Sequence, residues 1–185
     1  MYIIKMSEDV KKLTVPIKKD YDHIQGPITA PISLVEYGDF ECPYTGQAYL
    51  IVKEIKRKFG DTLCFAFRNF PLKEIHPHAQ HAAEAAEAAA FQGKFWEMHD
   101  HLFEHQNELD DNHLLKYAQE VGLDIKKFKS QLFKHLYAPT INDSLMNGLK
   151  SGVEGTPTFF LNGTRYEGSW DLETLLKRLT HDQRK

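Results

Sequence analysis

The chain has 185 residues, of which 42% are hydrophobic and 26% charged, and a formal net charge of -3. That size and balance fit one globular domain, or one domain with an insertion, and exclude nucleic acid and anionic membrane as default partners. No apolar run approaches the roughly 20 residues of a membrane-spanning helix. The N-terminus is not expected to be a signal peptide, because Glu8 and Asp9 follow a short apolar start, so the chain as it stands is expected in the cytoplasm.

Residues 1–21 mix both charges (Glu8, Asp9, Lys11, Lys12, Lys18, Lys19, Asp20) and read as a loose arm with room for one short helix. Residues 22–27 and Ala30-Pro31 are turn-like. Residues 32–37 are a strand, followed by a turn carrying Cys42 and a helix over 43–58 that Gly60 ends. A second strand covers 63–69 and stops before Pro71. This β-α-β order implies a parallel pair with a right-handed crossover.

The middle of the chain is helical. Residues 78–92 are rich in Ala, the best helix former, and Gly93 ends them. Residues 94–105 repeat Phe95, Trp96, Met98, Leu102 and Phe103 at helical spacing. Phe91, Phe95, Trp96 and Phe103 are expected in the core of this block. Asp110 or Asp111 caps a helix over 112–120, and Asp124 caps another through Phe128, Leu132 and Phe133. Pro139 opens the last one, which runs to Lys150.

Strand character then returns at Thr158-Phe159-Phe160-Leu161. Asn162-Gly163 is a hairpin turn signal, with residues 164–166 as the partner strand. A final helix carries Leu172, Leu175, Leu176 and Leu179. The organisation is an arm (1–21), a βαβ half (22–75), a helical insertion (76–152) and a ββα half (153–185).

Two of these junctions carry chemistry. Cys42 sits where a strand hands over to a helix, with Pro43 at the first helical position. The unpaired N–H groups and positive dipole end of the helix favour a thiolate there, and the thiolate is the nucleophile. Thr45, one turn in, can reach the sulfur with its hydroxyl but cannot form a disulfide. Cys42 would therefore work as a single thiol, forming a mixed disulfide that an external thiol resolves. Cys64, the one other cysteine, lies inside an apolar strand and reads as a buried small hydrophobe. It falls at the opposite end of the sheet from Cys42, beyond the roughly 7 Å Cα limit of a disulfide. The second junction is Gly155-Thr156-Pro157-Thr158. A proline directly before an apolar strand fits either the start of a sheet edge or a special turn.

Together these features resemble the DsbA-like branch of the thioredoxin superfamily. The match runs from about Asp22 to Leu179. It rests on Val35-Glu36-Tyr37-Gly38-Asp39-Phe40-Glu41-Cys42-Pro43-Tyr44, Phe67-Arg68-Asn69-Phe70-Pro71-Leu72, Lys94-Phe95-Trp96-Glu97-Met98-His99 and Gly152-Val153-Glu154-Gly155-Thr156-Pro157-Thr158-Phe159-Phe160. The resemblance implies an α/β thioredoxin fold with a multi-helix insertion, and thiol–disulfide oxidoreductase activity. It implies that Pro157 is cis and that Thr156 lies against the Cys42 sulfur and pairs its backbone with an extended peptide. It assigns Pro43, Tyr44, Thr156 and Pro157 to substrate binding.

Thr45 departs from the family's dithiol, which has a second cysteine at that position. Related thioredoxin-fold proteins with Cys-x-x-Ser or Cys-x-x-Thr work with glutathione, which makes glutathione the expected co-substrate beside protein thiols and disulfides. No permanently bound cofactor is expected. Glu36 matches a buried acidic position of the family; buried without a partner it would have a raised pKa and could relay protons, and otherwise it is a solvated carboxylate at a strand end. Asp39 and Glu41 bring further negative charge towards the sulfur. His78 and His81 (i, i+3) and His101 and His105 (i, i+4) can share helix faces, yet Pro77 and the helix caps scatter the histidines, and no metal is expected. His76 and His99 resemble scaffold positions of the family. Two other readings remain open: a redox-inactive peptide-binding module, and a glutathione-dependent transferase or isomerase of the kappa type.

Overall fold

Strands β2 (Ile32–Gly38) and β3 (Leu63–Asn69) are apolar on both faces and form the centre of the fold. Strands covered on both sides read as near-continuous apolar runs, which is why both were visible in the sequence. A computed structural model describes residues 11–182, and it places these two strands in parallel. The sheet order is β1-β3-β2-β4-β5, with β1 (His23–Gln25), β4 (Thr158–Leu161) and β5 (Thr164–Arg165) all antiparallel to their neighbours.

Helix α1 (Pro43–Phe59) connects β2 to β3 through a single 3-10 turn. The insertion holds α2 (Ala79–Ala90), α3 (Phe95–Glu104), α4 (Asp111–Glu120), α5 (Ile125–Phe133) and α6 (Ala138–Lys150), and α7 (Leu172–Asp182) closes the second half. Asp110 caps α4, accepting from the N–H groups of Asn112 and His113, and Asp124 caps α5 through Lys127 N–H. The alanines of α2 let α3, α4, α5 and α6 all pack against it, so α2 is the axis of the insertion.

Side chains alternate across the sheet with period two. Ile32, Leu34, Phe65, Phe67, Phe159 and Leu161 face the larger core, with Val52 and Ile55 of α1, Leu175 and Leu179 of α7 and the insertion. Val35, Tyr37, Ala66 and Phe160 face a smaller one, together with Phe70 and Val153. Glu36 shares the parity of Leu34 and so points to the α1 side. Cys64 shares the parity of Ala66 and points away from it.

Three details differ from the sequence reading. β1 lies in a segment expected to be only turn-like. It is three residues long at a sheet edge, too short to show alternation, and Gly26 ends it at φ +83 against the Leu63 backbone. The described part of the expected loose arm is docked: Leu13 N–H donates to Gly163 O, Arg165 N–H donates to Lys11 O, and Lys12 bridges to Thr164. Residues 1–10 of that arm lie outside the described residues. Phe91 is 60% exposed beneath Lys127 rather than in the core; Phe95 and Phe103 are buried and Trp96 is partly so. The Asn162-Gly163 hairpin holds, both residues having the positive φ that this turn needs.

Candidate active site

The end of β2 and the start of α1 deliver Cys42. It is the N-cap of α1, with extended backbone and Pro43 behind it, and its side chain makes no capping bond. The sulfur instead donates to the carbonyl oxygen of Thr156 at 3.3 Å. The Thr156-Pro157 bond is cis, and Pro157 leads directly into β4. Residues 42, 156 and 157, far apart in the chain, are thus brought together. Pro43 and Tyr44, next in the chain, are exposed, Tyr44 to 62%, while Cys42 itself is only 4% exposed.

Thr45 is fully buried at the third position of α1. Its hydroxyl, expected to reach the sulfur, accepts the N–H of Asp39 at 3.4 Å. It therefore braces the turn between β2 and α1. Among the described residues no hydrogen bond joins it to Cys42.

Glu36 is buried, on β2 between Phe67 of β3 and Phe159 of β4. Its Oε1 has no partner. Burial pushes its pKa up to about 8, partly offset by Lys56 on α1. Burial pushes Lys56 down in turn, with its ammonium over the rings of Phe65 and Trp96. The solvated-carboxylate reading of Glu36 is thus replaced by a buried, proton-holding acid below the turn that carries Cys42.

The acidic residues around the sulfur are held by histidines. Asp39, which is buried, accepts from Leu72 N–H (2.8 Å), Glu41 N–H (2.9 Å) and His76 Nδ1 (2.7 Å). Glu41 accepts from His78 N–H (2.6 Å) and Nδ1 (2.9 Å). Charge expected to oppose a thiolate is therefore engaged by donors, and the loop after β3 is clasped to the cysteine turn. His81 pairs with Asp111, His101 and His105 stack on each other, and His99 is buried among Phe40, Phe67 and Phe103.

Sequence reasoning missed Gln106. It follows α3 and belongs to no motif. Its Nε2 donates to Phe40 O (2.7 Å) and Cys42 O (3.0 Å), tying the insertion to the cysteine turn. A Cβ at Gly46 would collide with the Gln106 side chain, which accounts for a glycine in the first turns of α1. No local signal marks this contact, because its two ends are 60 or more residues apart.

Cys64 is free, as is Cys42. It pairs with Ser33 at the start of β2, whereas Gly38, next to the Cys42 turn, pairs with Asn69 at the other end of β3. Burial pushes the Cys64 thiol up, which disfavours its thiolate. Position and facing both separate it from Cys42.

A sequence profile of the family described as thioredoxin matches residues 18–180. A polypeptide named Na(+)/H(+) antiporter NhaA 1, from Salinispora arenicola, is 46% identical over 178 residues, covering 96% of this chain and 27% of that polypeptide. The chain thus spans about a quarter of the length of the curated relatives it matches. Among solved structures, oxidised BdbD from Bacillus subtilis aligns with a TM-score of 0.83 at 21% identity, over 95% of this chain and 98% of that one. The thiol-disulfide exchange protein alpha-DsbA2 from Wolbachia pipientis aligns at 0.75 and 21% identity, over 86% of each chain. At these identities the structural likeness is one of fold.

Proposed function

The chain belongs to the thioredoxin family and has the DsbA-like α/β fold, and on that basis we propose that it is a thiol–disulfide oxidoreductase working through Cys42 as a single thiol. The observation that carries the reading is the Cys42 sulfur, at the start of α1, set against the Thr156 carbonyl that precedes cis Pro157. Thr45 stands where a second thiol would resolve an intermediate.

In this reading a substrate disulfide displaces the Sγ–H from Thr156 O. The Cys42 thiolate attacks one sulfur, a new S–S bond forms to Cys42, and the other sulfur leaves as a thiolate that takes up a proton. An external thiol, glutathione in a reducing compartment such as the cytoplasm, then attacks the mixed disulfide. Cys42 is released as thiolate, and the second disulfide departs. Pro43 and Tyr44 would line the approach, and the Thr156–Pro157 backbone would hold an extended substrate. Glu36, protonated near neutral pH, could exchange a proton during these steps. Antiport, which belongs to the name of much longer polypeptides, is no part of the proposal.

The test is alkylation of Cys42 across pH, together with glutathione-dependent reduction of a glutathionylated peptide. A depressed thiol pKa with turnover supports the reading. A pKa near the ordinary value of about 8.5 with no turnover removes it. The low exposure of Cys42 favours a second reading, a peptide-binding module whose thiol is capped by Thr156. In that case peptide binding survives Cys42→Ser and no exchange is seen.

A further inference from the structure

Asp39 engages every one of its polar atoms at the cysteine turn or at the loop after β3. Its N–H donates to Thr45 Oγ1 at 3.4 Å, and its backbone oxygen accepts the Cys42 N–H at 3.1 Å. Its Oδ1 accepts Glu41 N–H at 2.9 Å, the local turn that an aspartate makes with the residue two positions on. Its Oδ2 accepts from Leu72 N–H at 2.8 Å and from His76 Nδ1 at 2.7 Å. The cysteine turn and the loop over residues 72–76 therefore meet on one carboxyl group, which is 0% exposed.

Two of the three donors to that carboxyl group are backbone N–H groups. His76 is the side-chain donor. A carboxylate only accepts, so the proton of this bond lies on Nδ1. The neighbouring pair is less sheltered: the Glu41 and His78 side chains are 18% and 45% exposed, and water competes for them. The His76 side chain is 17% exposed and its partner is buried, which strengthens the bond. The segment between β3 and α2 forms turns, without helix or strand, so individual bonds rather than a ladder set its place beside Cys42.

We infer that His76, acting through Asp39, is a positioning residue for the exchange reaction, fixing the turn that sets the Cys42 sulfur against Thr156. The inference rests on the reading of Cys42 as the exchanging thiol. Among the described residues no hydrogen bond joins His76 to the sulfur, so its action is indirect. With His76 in place, the carboxyl group is locked between the turn and the loop. Without it Oδ2 keeps one donor, the carboxyl group can rotate, and residues 39–42 loosen against α1. Cys42 is only 4% exposed, so a small rotation of the turn decides whether a disulfide can meet the sulfur in line.

The experiment is the rate of glutathione adduct formation on Cys42 with oxidised glutathione, read by peptide mass spectrometry on the whole chain. The parent is compared with His76→Leu, His76→Gln and His76→Asn, each held below the onset of its own thermal melt. Asn places an amide N–H where Nδ1 stands, Gln places it nearer Nε2, and Leu has none. All three are uncharged, so differences among them report the hydrogen bond and not the charge. His76→Leu and His76→Gln should slow adduct formation about tenfold or more, and His76→Asn should restore most of the parent's rate. If His76→Leu does not fold, the Gln and Asn variants carry the comparison. A role in stability alone would lower the melts and leave the rates at the parent's value, which overturns the inference. Equal slowing in all three variants overturns it too. No adduct on Cys42 of the parent removes the exchange reading itself and this inference with it, whereas a parent that reacts while the Leu and Gln variants keep its rate removes the inference alone.

Discussion

The Cys42 sulfur lies 3.3 Å from the carbonyl oxygen of Thr156, a residue 114 positions further along the chain. In the proposed reading, a substrate takes the place of the Cys42 S–H at the Thr156 carbonyl, so that binding and uncovering of the sulfur are one event.

Thr45→Cys should convert the site to a dithiol. Thr45 is the third residue of α1, with Cys42 as its N-cap. The expected outcome is an intramolecular disulfide that dithiothreitol reverses, seen as loss of both thiols to alkylation without any adduct. If Cys42 and the introduced cysteine stay reduced under mild oxidant, the site is not arranged for exchange.

Glu36→Gln tests the buried acid. The folded state holds this proton up to about pH 8, while the unfolded chain releases it near the ordinary carboxylate value of 4.5. The folded state therefore binds more protons between those values, and stability falls as pH rises through them. The full shift corresponds to a cost of up to about 5 kcal/mol above pH 8. The Gln variant should lose this pH dependence, being more stable than the parent at pH 9 and little changed at pH 4. Parallel denaturation curves for the two proteins from pH 4 to 9 would refute the assignment.

Gln106→Ala removes two hydrogen bonds from the insertion to the cysteine turn. It should lower stability by about 1–2 kcal/mol and slow Cys42 alkylation. Gly46→Ala should do the same by displacing the Gln106 side chain. The double variant should then cost less than the sum of the two, because both break one contact. Additive losses measured by urea unfolding would separate the two residues.

Asp22→Ala leaves the Arg68 guanidinium buried without its partner; their side chains are 0% and 1% exposed. Unfolding measurements should show a loss of about 3–5 kcal/mol. A loss under 1 kcal/mol would mean that water reaches the guanidinium.

Much of this molecule could be read from local pattern. β2, β3 and β4 are apolar runs bounded by turn residues, and the helices of the insertion carry caps or glycine stops. Cys42 and Thr156–Pro157 were legible because both sit in short motifs at element ends. What could not be read depends on pairing across the chain. β1 exists because β3 offers an edge, not because three residues prefer a strand. Asp39 and His76 meet through the loop after β3, and Gln106 reaches Phe40 and Cys42 from the insertion. Thr45 was placed correctly on α1, but the orientation of its hydroxyl depends on Asp39 N–H.

The central claim is that Cys42, and not Cys64, is the exchanging thiol. Intact-protein and peptide mass spectrometry after incubation with oxidised glutathione tests it most directly, with Cys42→Ser and Cys64→Ser run alongside. The account predicts one glutathione per chain, on Cys42, lost in Cys42→Ser and retained in Cys64→Ser. No adduct, or an adduct on Cys64, would contradict it.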